Sequence, residues 1–337
     1  MKPLVILAYK EYPDTAVEAE VLSVLDARIA QITDFTTDDG TAAAREADAL
    51  MVTTRPVSAE LLQLMPRCRI ISRVGTGVDA IDIEAATRQG IWVSNVPDYA
   101  IDEVSTHALT LLLAHARRLP ALLDSTRQGI WDYRIVPPIV RLKGQTLGVV
   151  GFGRIARALA VKARGLGLNV LAYDRYVPDG DVEAEGVRPV SFETLLRESD
   201  FVSLHTPLTD ATRGLIDSQA LALMKPTAFL INTARGALVD EDALLAALRE
   251  GHIAGAALDV LQVEPPPADH PLMHEPRAWL TPHIGWYSEA ASREMRVKGA
   301  EEVVRVLRGG EPRSRINQIE AAPMPVRTTD QFVETEI

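Results

Sequence analysis

Three ionisable side chains in the second half of the chain have the types that carboxylate binding and proton transfer require. Arg235 follows the apolar run 228–232, Glu264 precedes three consecutive prolines, and His283 follows the apolar run 278–280. A guanidinium can bind a carboxylate through two parallel hydrogen bonds. An imidazole can donate a proton near neutral pH, and an adjacent carboxylate can keep it protonated. These residues are candidate catalytic groups for hydride transfer to a carbonyl.

Each residue also has an ordinary structural interpretation, as a surface arginine, a solvated glutamate or a satisfied loop histidine. Their shared position favours chemistry, because each follows a predicted strand, and ligands bind at the carboxyl ends of parallel strands. Other polar or turn-forming residues follow the same strands: His205, Thr206, Pro207, Thr233, Ala234 and Asp259. We interpret His205 as part of a cofactor pocket rather than as a proton donor.

The stretch 146–160, TLGVVGFGRIARALA, predicts a strand, a tight turn and a helix. Gly151 permits the turn, Gly153 lets a pyrophosphate approach the backbone, and Ala156 lets the helix pack on its strand. The first helical residues, Arg154 and Ile155, offer N–H groups and a positive dipole to the phosphates. The stretch therefore predicts a dinucleotide site.

Asp174 ends the next predicted strand, 169–173. A carboxylate there can accept a hydrogen bond from a ribose 2′-hydroxyl and would repel a 2′-phosphate, which favours NAD over NADP. Arg175 follows directly and leaves the use of NADP open. The alternative interpretation is a structural turn in which Asp174 caps a loop.

The segment Arg73-Val74-Gly75-Thr76-Gly77 follows another predicted strand. Two glycines one residue apart can present N–H groups to an anion, and Arg73 could add a positive charge. Taken alone, an ordinary glycine turn with Arg73 at the surface explains the segment equally well.

Composition limits the class of protein. A chain of 337 residues with 47% apolar content predicts about two domains with sizeable cores. The net charge of −11 argues against nucleic-acid binding. The single cysteine, Cys68, excludes a disulfide framework and predicts a buried thiol. Asp269, His270 and His274 lack a fourth ligand, so no metal site is expected. No stretch predicts a signal peptide or a membrane span, which indicates a cytoplasmic protein.

The middle of the chain predicts a contact with a partner subunit. Residues 100–116 predict a helix that is apolar on almost every side and is buried between domains or subunits. His107 and His115 lie in it and are interpreted as structural. Residues 119–142 show little periodicity and predict an extended arm with exposed apolar side chains. The polar tail after Gly310 is expected to pack across the surface or to be disordered.

Several motifs together resemble the D-isomer-specific 2-hydroxyacid dehydrogenase family: GFGRIA followed by Asp174, HTPLTDATRGLI, INTARGALVDEDALLAAL, ALDVLQVEP and TPHIGWYSEAA. The resemblance covers about residues 49–317. Within the family, the pattern after His283, with Trp286, is similar to the C-terminal-binding proteins, and RVGTGVD is shared with phosphoglycerate dehydrogenases.

The resemblance implies two doubly wound parallel-sheet α/β domains, with a Rossmann NAD-binding domain inserted into a flavodoxin-like substrate-binding domain. The implied boundaries are 100–287 for the former and 1–99 plus 288–337 for the latter. It also implies an Arg235–Glu264–His283 catalytic set, NAD in the cleft, and a homodimer built through residues 100–145.

Two binding roles are further implied by the resemblance. The loop Arg73–Gly77 would bind the substrate carboxylate, and Asp259 would hold the nicotinamide amide. Trp286 suggests an aromatic wall for an apolar substrate, whereas Arg73 would suit a second anionic group, so the 2-hydroxy acid is left open. The alternative function is an NAD(H)-sensing, corepressor-like scaffold with weak dehydrogenase activity.

Overall fold

The computed structural model describes residues 2–12 and 14–319. The chain divides into two compact units, one containing the residues up to Tyr99 and those from Glu289 onward, the other spanning Ala100–Ser288. The part of the predicted tail beyond residue 319 lies outside the described residues. No helix in the described ranges has the length and apolar content needed to cross a bilayer.

The first unit is built on a five-stranded parallel sheet in the order β2-β1-β3-β4-β5. Its strands are β1 (Leu4–Leu7), β2 (Arg28–Gln31), β3 (Ala49–Val52), β4 (Ile70–Arg73) and β5 (Trp92–Ser94). Its helices are α1 (Ala16–Leu22), α2 (Asp38–Glu46), α3 (Ala59–Gln63), α4 (Ile83–Arg88) and, from the end of the chain, α12 (Glu289–Leu307). This strand order is the flavodoxin-like one.

The second unit is built on a seven-stranded parallel sheet in the order β12-β11-β10-β9-β6-β7-β8. Its strands are β6 (Thr146–Val150), β7 (Asn169–Tyr173), β8 (Arg188–Pro189), β9 (Phe201–Leu204), β10 (Phe229–Asn232), β11 (Gly255–Leu258) and β12 (Ala278–Leu280). Its helices are α5 (Ile101–Ala116), α6 (Leu119–Arg127), α7 (Arg154–Gly165), α8 (Asp179–Ala184), α9 (Phe192–Glu198), α10 (Ser218–Leu223) and α11 (Glu241–Glu250). The strand order reverses between β6 and β9, which makes their carboxyl ends the ligand-binding edge.

The central strands are buried and mostly apolar because helices cover both faces of each sheet. In β10, Leu230 packs in the cluster on one face, whereas Phe229 and Ile231 pack in the cluster on the other. Cys68 is buried in the core of the first unit, as predicted, and burial raises the pKa of its thiol to about 12.

Helix boundaries follow the side chains that cap them. Four N-cap residues accept a hydrogen bond from the third N–H of their helix through a side-chain carboxylate or hydroxyl: Ser58, Ser191, Asp217 and Asp240. Helix α11 ends where Gly251 adopts the left-handed conformation with φ of 74°.

One prediction about the middle of the chain was wrong in part, and one stays a prediction. In the single chain, helix α5 exposes Asp102, Thr106 and Thr110, four residues apart, so its burial on every side between subunits stays a prediction. The segment after it is not wholly extended, since residues Leu119–Arg127 form α6 with Pro120 in its first turn. A proline is tolerated there because its missing N–H has no intrahelical partner to lose. The apolar side chains beyond α6 are exposed, as predicted.

Candidate active site

The sheet of the second unit collects the predicted catalytic residues on the loops that follow its strands. Arg235 lies three residues after β10 ends, Glu264 lies in the loop after β11, and His283 lies three residues after β12 ends. Because β10, β11 and β12 are parallel neighbours, these loops leave the same edge of the sheet.

His283 and Glu264 form a direct pair, with 2.6 Å between Nδ1 of His283 and Oε2 of Glu264. His283 has a left-handed backbone, with φ of 53°. Its N–H donates to the carbonyls of Asp259 and Thr281, each at 2.9 Å. A non-glycine residue in this conformation persists only where its surroundings fix it, which is a feature of functional sites. Because Glu264 engages Nδ1, Nε2 is the ring nitrogen left to face a ligand.

Glu264 is held as an ionised partner. Its Oε1 accepts from the N–H of Leu261 at 2.9 Å. Partial burial opposes ionisation, but the hydrogen bond and charge of His283, together with this N–H, lower the pKa of Glu264 below its ordinary value. Glu264 can therefore face the imidazole as an anion.

Asp259 fixes the loop that carries His283. Its side chain is 2% exposed, and its carboxylate accepts from the N–H groups of Ile284 at 2.9 Å and Gly285 at 2.8 Å and from the hydroxyl of Thr281. Burial opposes ionisation, yet these donors and His107 lower the pKa of Asp259. In this structure the carboxylate that the family resemblance assigns to the nicotinamide amide thus braces the residues on both sides of His283.

Asn232 holds the loop that carries Arg235. Its fully buried amide donates to the carbonyl of Arg235 at 2.8 Å and accepts from the N–H of Ala234 at 3.0 Å. Asn232 was not predicted as a site residue, although a polar residue that ends an otherwise apolar strand is a visible signal in the sequence. The Nη1 of Arg235 donates to the carbonyl of Ala234 at 2.6 Å, which folds the guanidinium over its own loop.

Gly236 brings the loops of Arg235 and Glu264 together. The residue is buried, and a Cβ placed on it would lie 2.0 Å from the carbonyl carbon of Leu261. Only glycine allows this approach. The N–H of Leu261 in turn donates to Glu264, so the spacing of the two candidate catalytic loops depends on the absence of a side chain at Gly236.

We expect Gly236→Ala to disturb the site more than a typical surface substitution, because backbone rather than a movable side chain opposes the new methyl group. Overpacking of this kind costs about 1–3 kcal/mol. The thermal unfolding midpoint should fall by several degrees, and the activity of the folded fraction should fall with it. Gly180→Ala is the matched control, since a Cβ at Gly180 meets nothing within 4 Å. Equal stability and activity in both variants would contradict the packing argument.

The glycine turn after β6 has the geometry that a dinucleotide needs. Gly151 has φ of 90°, and a Cβ there would lie 2.8 Å from the carbonyl carbon of His205. A Cβ on Gly153 would meet nothing within 4 Å, and Gly153 provides no side-chain cap for α7, which begins at Arg154. The first N–H groups of α7, including those of Arg154 and Ile155, are thus positioned to bind a pyrophosphate.

Asp174 lies beside that turn. Its Oδ2 accepts from the N–H of Phe152 at 2.7 Å, and its Oδ1 accepts from Tyr176 at 2.8 Å and Val177 at 3.0 Å. Partial burial opposes ionisation, but these N–H groups lower the pKa of Asp174. A fixed, negative carboxylate next to the glycine turn suits a ribose diol and disfavours a 2′-phosphate.

Two further residues at this edge fit a bound cofactor. The Oγ1 of Thr233 is buried and has no hydrogen-bond partner among the described residues, so a ligand hydroxyl or amide could satisfy it. Burial lowers the pKa of His205 to about 4, and its Nε2 lies 2.8 Å from Oγ of Ser203. A neutral imidazole cannot serve as the proton donor near pH 7, which agrees with a pocket role for the His205-Thr206-Pro207 segment.

The loop Arg73–Gly77 begins at the end of β4 in the first unit. The side chain of Arg73 forms hydrogen bonds with the backbone of this same loop. The Nε of Arg73 donates to the carbonyl of Gly77 at 2.7 Å, and its Nη1 donates to the carbonyl of Val74. Arg73 therefore stabilises the conformation of the loop. Its positive charge is a second contribution that it can make to binding a ligand.

The other singled-out residues have structural partners. His107 lies 3.1 Å from Thr281 Oγ1, and His115 stacks on Phe229 with ring centroids 3.8 Å apart. His270 pairs with Glu241 at 3.2 Å. Trp286 packs edge-on against Tyr287, with centroids 5.4 Å apart. Within residues 2–12 and 14–319, no three His, Cys, Asp or Glu side chains are grouped as metal ligands.

Comparison with known proteins gives a consistent set of relatives. Residues 109–285 match the NAD-binding domain of the D-isomer-specific 2-hydroxyacid dehydrogenases. A glyoxylate reductase from Thermococcus litoralis is 43% identical over 281 residues, which is 81% of this chain and 85% of that protein. A D-3-phosphoglycerate dehydrogenase from Methanocaldococcus jannaschii is 41% identical over 267 residues. The aligned part is 79% of this chain and 51% of that protein.

A solved structure of D-lactate dehydrogenase from Aquifex aeolicus, in complex with NAD and lactic acid, has the same fold. It aligns with a TM-score of 0.81 and 29% identity, covering 91% of this chain and 96% of that one. The chain therefore belongs to the D-isomer-specific 2-hydroxyacid dehydrogenase family, and it is an NAD-dependent oxidoreductase that acts on the CH–OH group of 2-hydroxy acids.

Proposed function

We propose that the protein interconverts a short 2-keto acid and its D-2-hydroxy acid, with His283 as the acid–base group and Arg235 as the carboxylate ligand. The 2.6 Å contact between His283 and Glu264, on a loop fixed by buried Asp259, carries this proposal. A scaffold that only senses NAD(H) would not require an imidazole paired with a carboxylate and held in a left-handed conformation.

In the proposed reaction, bound NADH supplies the hydride that reaches C2 of the substrate. Nε2 of His283 donates its proton to the carbonyl oxygen, because Nδ1 is engaged by Glu264. Glu264 stabilises the protonated imidazole before the transfer. The guanidinium of Arg235 binds the substrate carboxylate and orients C2. Oxidation of the hydroxy acid uses the same groups in reverse.

Each unit also has a proposed binding role. The N–H groups of Gly75, Thr76 and Gly77 in the first unit bind the substrate carboxylate, which makes that unit the substrate-binding domain. The turn Gly151–Ile155, with Asp174, binds the NAD phosphates and ribose. His205, Thr206, Pro207, Thr233 and Ala234 line the cofactor pocket.

Asp259 is assigned to holding the His283 loop, and its reach to the nicotinamide amide remains part of the proposal. Trp286 contributes an apolar wall near His283.

The apolar side chains after α6 support a homodimer. Trp131 is 92% exposed and Tyr133 is 81% exposed, and Ile135 and Val140 are exposed beside them. Large apolar groups clustered on a surface mark contact sites. We propose that residues 100–145 pair two copies of the chain, and that the enzyme acts in the cytoplasm on a dissolved metabolite.

Glu264→Gln tests the proton-donor assignment through its pH dependence. Glutamine removes the negative charge that lies 2.6 Å from Nδ1 of His283 and that favours the protonated imidazole. We expect the pH profile of kcat/KM for reduction to move to lower pH in the variant than in the wild type.

The pH profile should be recorded from about pH 5 to about pH 9, where Glu264 stays ionised and the pair is intact. Glu250→Gln is the matched control, because Glu250 also neighbours a histidine, His252, at 3.6 Å, but both side chains are exposed at the end of α11. An unshifted profile in the Glu264 variant would remove the basis for the pairing role.

A steady-state assay with a panel of 2-keto acids tests the proposed function as a whole. Glyoxylate, hydroxypyruvate, phosphohydroxypyruvate and longer keto acids should each be offered with NADH and with NADPH. We expect turnover of at least one keto acid, faster with NADH because of Asp174. Tight NADH binding without turnover of any member would favour the scaffold alternative.

A further inference from the structure

The end of the described chain forms a strap, residues 313–317, along the edge of the first unit's sheet. Arg315 makes an antiparallel bridge to Ser94 of β5, and the N–H of Ile316 donates to the carbonyl of Val93 at 2.8 Å. The N–H of Val93 donates to Oδ1 of Asn317 at 2.8 Å. The strap thus pairs with β5 along the edge of the sheet, close to the point where the chain leaves it.

One strap residue, Ser314, forms two hydrogen bonds with Asn95, which follows β5. The carbonyl of Ser314 accepts from the N–H of Asn95 at 3.2 Å, and the hydroxyl of Ser314 donates to Oδ1 of Asn95 at 2.7 Å. Asn95 is 8% exposed. With its Oδ1 held by a donor, its Nδ2 is directed the other way and donates to the carbonyl of Thr76 at 2.7 Å.

The carbonyls of the candidate carboxylate loop are therefore held from several directions. The amide of Asn95 donates to the carbonyl of Thr76, and the N–H of Val96 donates to the carbonyl of Gly75 at 2.9 Å. The guanidinium of Arg73 donates to the carbonyls of Gly77 and Val74. A peptide group points its N–H opposite to its carbonyl, so fixing the carbonyls of Val74, Gly75 and Thr76 also fixes the directions of the N–H groups of Gly75, Thr76 and Gly77, which an anion can use.

We propose that Ser314, acting through Asn95, positions the Gly75–Gly77 loop for the substrate carboxylate, so that the strap sets the affinity for the 2-keto acid. This inference depends on the proposed carboxylate role of the loop. Ser314 and Asn95 are positioning residues that act through the peptide group following Thr76.

Other hydrogen bonds hold the strap in place without the Ser314 hydroxyl. The effect of Ser314 on the loop can therefore be tested apart from the stability of the fold. The side chain of Asn317 is bound to Val93, to the carbonyl of Ile91 at 2.9 Å and to Thr87 at 3.0 Å, and the N–H of Arg313 donates to Glu302 at 2.8 Å. Removing the Ser314 hydroxyl leaves all of these in place. What is lost is the bond that orients the Asn95 amide.

The test compares Ser314→Ala, Ser314→Thr and Asn95→Asp with Arg315→Ala in the full chain. The loss of one hydrogen bond predicts a rise of about three- to tenfold in KM for the keto acid in Ser314→Ala, with kcat and the Kd of NADH unchanged. Threonine keeps the hydroxyl and should restore KM. Asn95→Asp replaces the donor with a carboxylate oxygen facing the Thr76 carbonyl, so its KM should rise further. Arg315→Ala removes only an exposed ion pair with Glu311 and should match the wild type.

The Kd of oxamate, measured with NADH present, gives a second readout that does not require turnover. A parallel rise in KM and in the oxamate Kd supports the proposal. A wild-type KM and oxamate Kd in Ser314→Ala, or an equal loss of NADH affinity, overturns it. If the wild type reduces no keto acid, the proposed function fails, whereas the oxamate series still decides whether the strap controls the loop.

Discussion

Replacement of His283 by alanine is expected to lower kcat for 2-keto acid reduction by about 10²–10⁴-fold, the range that a positioned general acid contributes. The Kd of NADH should change little. The imidazole that is removed is paired with Glu264 and lies on a loop after β12, whereas the proposed nucleotide-binding residues lie on the turn after β6 and at Asp174. Stopped-flow reduction at saturating NADH, combined with a fluorescence titration of NADH, measures both quantities.

His252→Ala is the matched control for this experiment. His252 also neighbours a glutamate, but it is exposed and precedes β11, at the opposite edge of the sheet from the catalytic loops. Its variant should have wild-type kcat. A loss of NADH affinity as large as the loss of kcat in His283→Ala would show that the residue supports the cofactor site rather than the proton transfer.

Replacement of Arg235 by glutamine should lower kcat/KM for the keto acid by about a hundredfold, because truncating one partner of a hydrogen-bonded charge pair costs about 2–5 kcal/mol. Most of the change should lie in KM, since the carboxylate is bound in both the ground state and the transition state. Arg235→Lys keeps the charge but loses the two-pronged geometry, so it should recover only part of the loss.

The arginine experiment requires a control for net charge. Arg197→Gln removes an exposed cation from the last turn of α9 and should leave the kinetics unchanged. If Arg235→Gln instead lowers kcat with KM unchanged, the guanidinium does not bind the substrate carboxylate in the ground state, and its proposed role would have to change.

Much of the fold could be predicted from the sequence because its signals are local. The apolar runs of β9, β10 and β11 end in polar residues, and the capping side chains at Asp217 and Asp240 mark where helices begin. Elements with weaker patterns escaped prediction. The strand β2 contains Arg28 and Gln31, and α2 carries Gly40 and polar residues, so neither has a continuous apolar signature.

The candidate catalytic residues were predictable by type and by strand-end position, but the groups that hold them were not. Gly236 and Asp259 act through contacts with Leu261 and Gly285, which lie on separate loops. Such contacts depend on the three-dimensional approach of loops, for which one sequence carries no periodic signal. The role of Ser314 is a similar case, because 219 positions separate it from Asn95.

Helix α5 carries a polar stripe that its apolar composition conceals. Thr106 and Thr110 are exposed in the single chain. Composition alone does not show how a polar stripe is spaced, and here the four-residue spacing that begins at Asp102 places these residues on one helical face.

The most direct test of the central claim is a crystal structure of the enzyme with NADH and oxamate. We predict the oxamate carboxylate in a two-pronged contact with Arg235, and its 2-oxo oxygen within hydrogen-bond distance of Nε2 of His283, with Glu264 still bound to Nδ1. Oxamate bound away from His283 and Arg235, or an imidazole separated from Glu264 in the complex, would contradict the account.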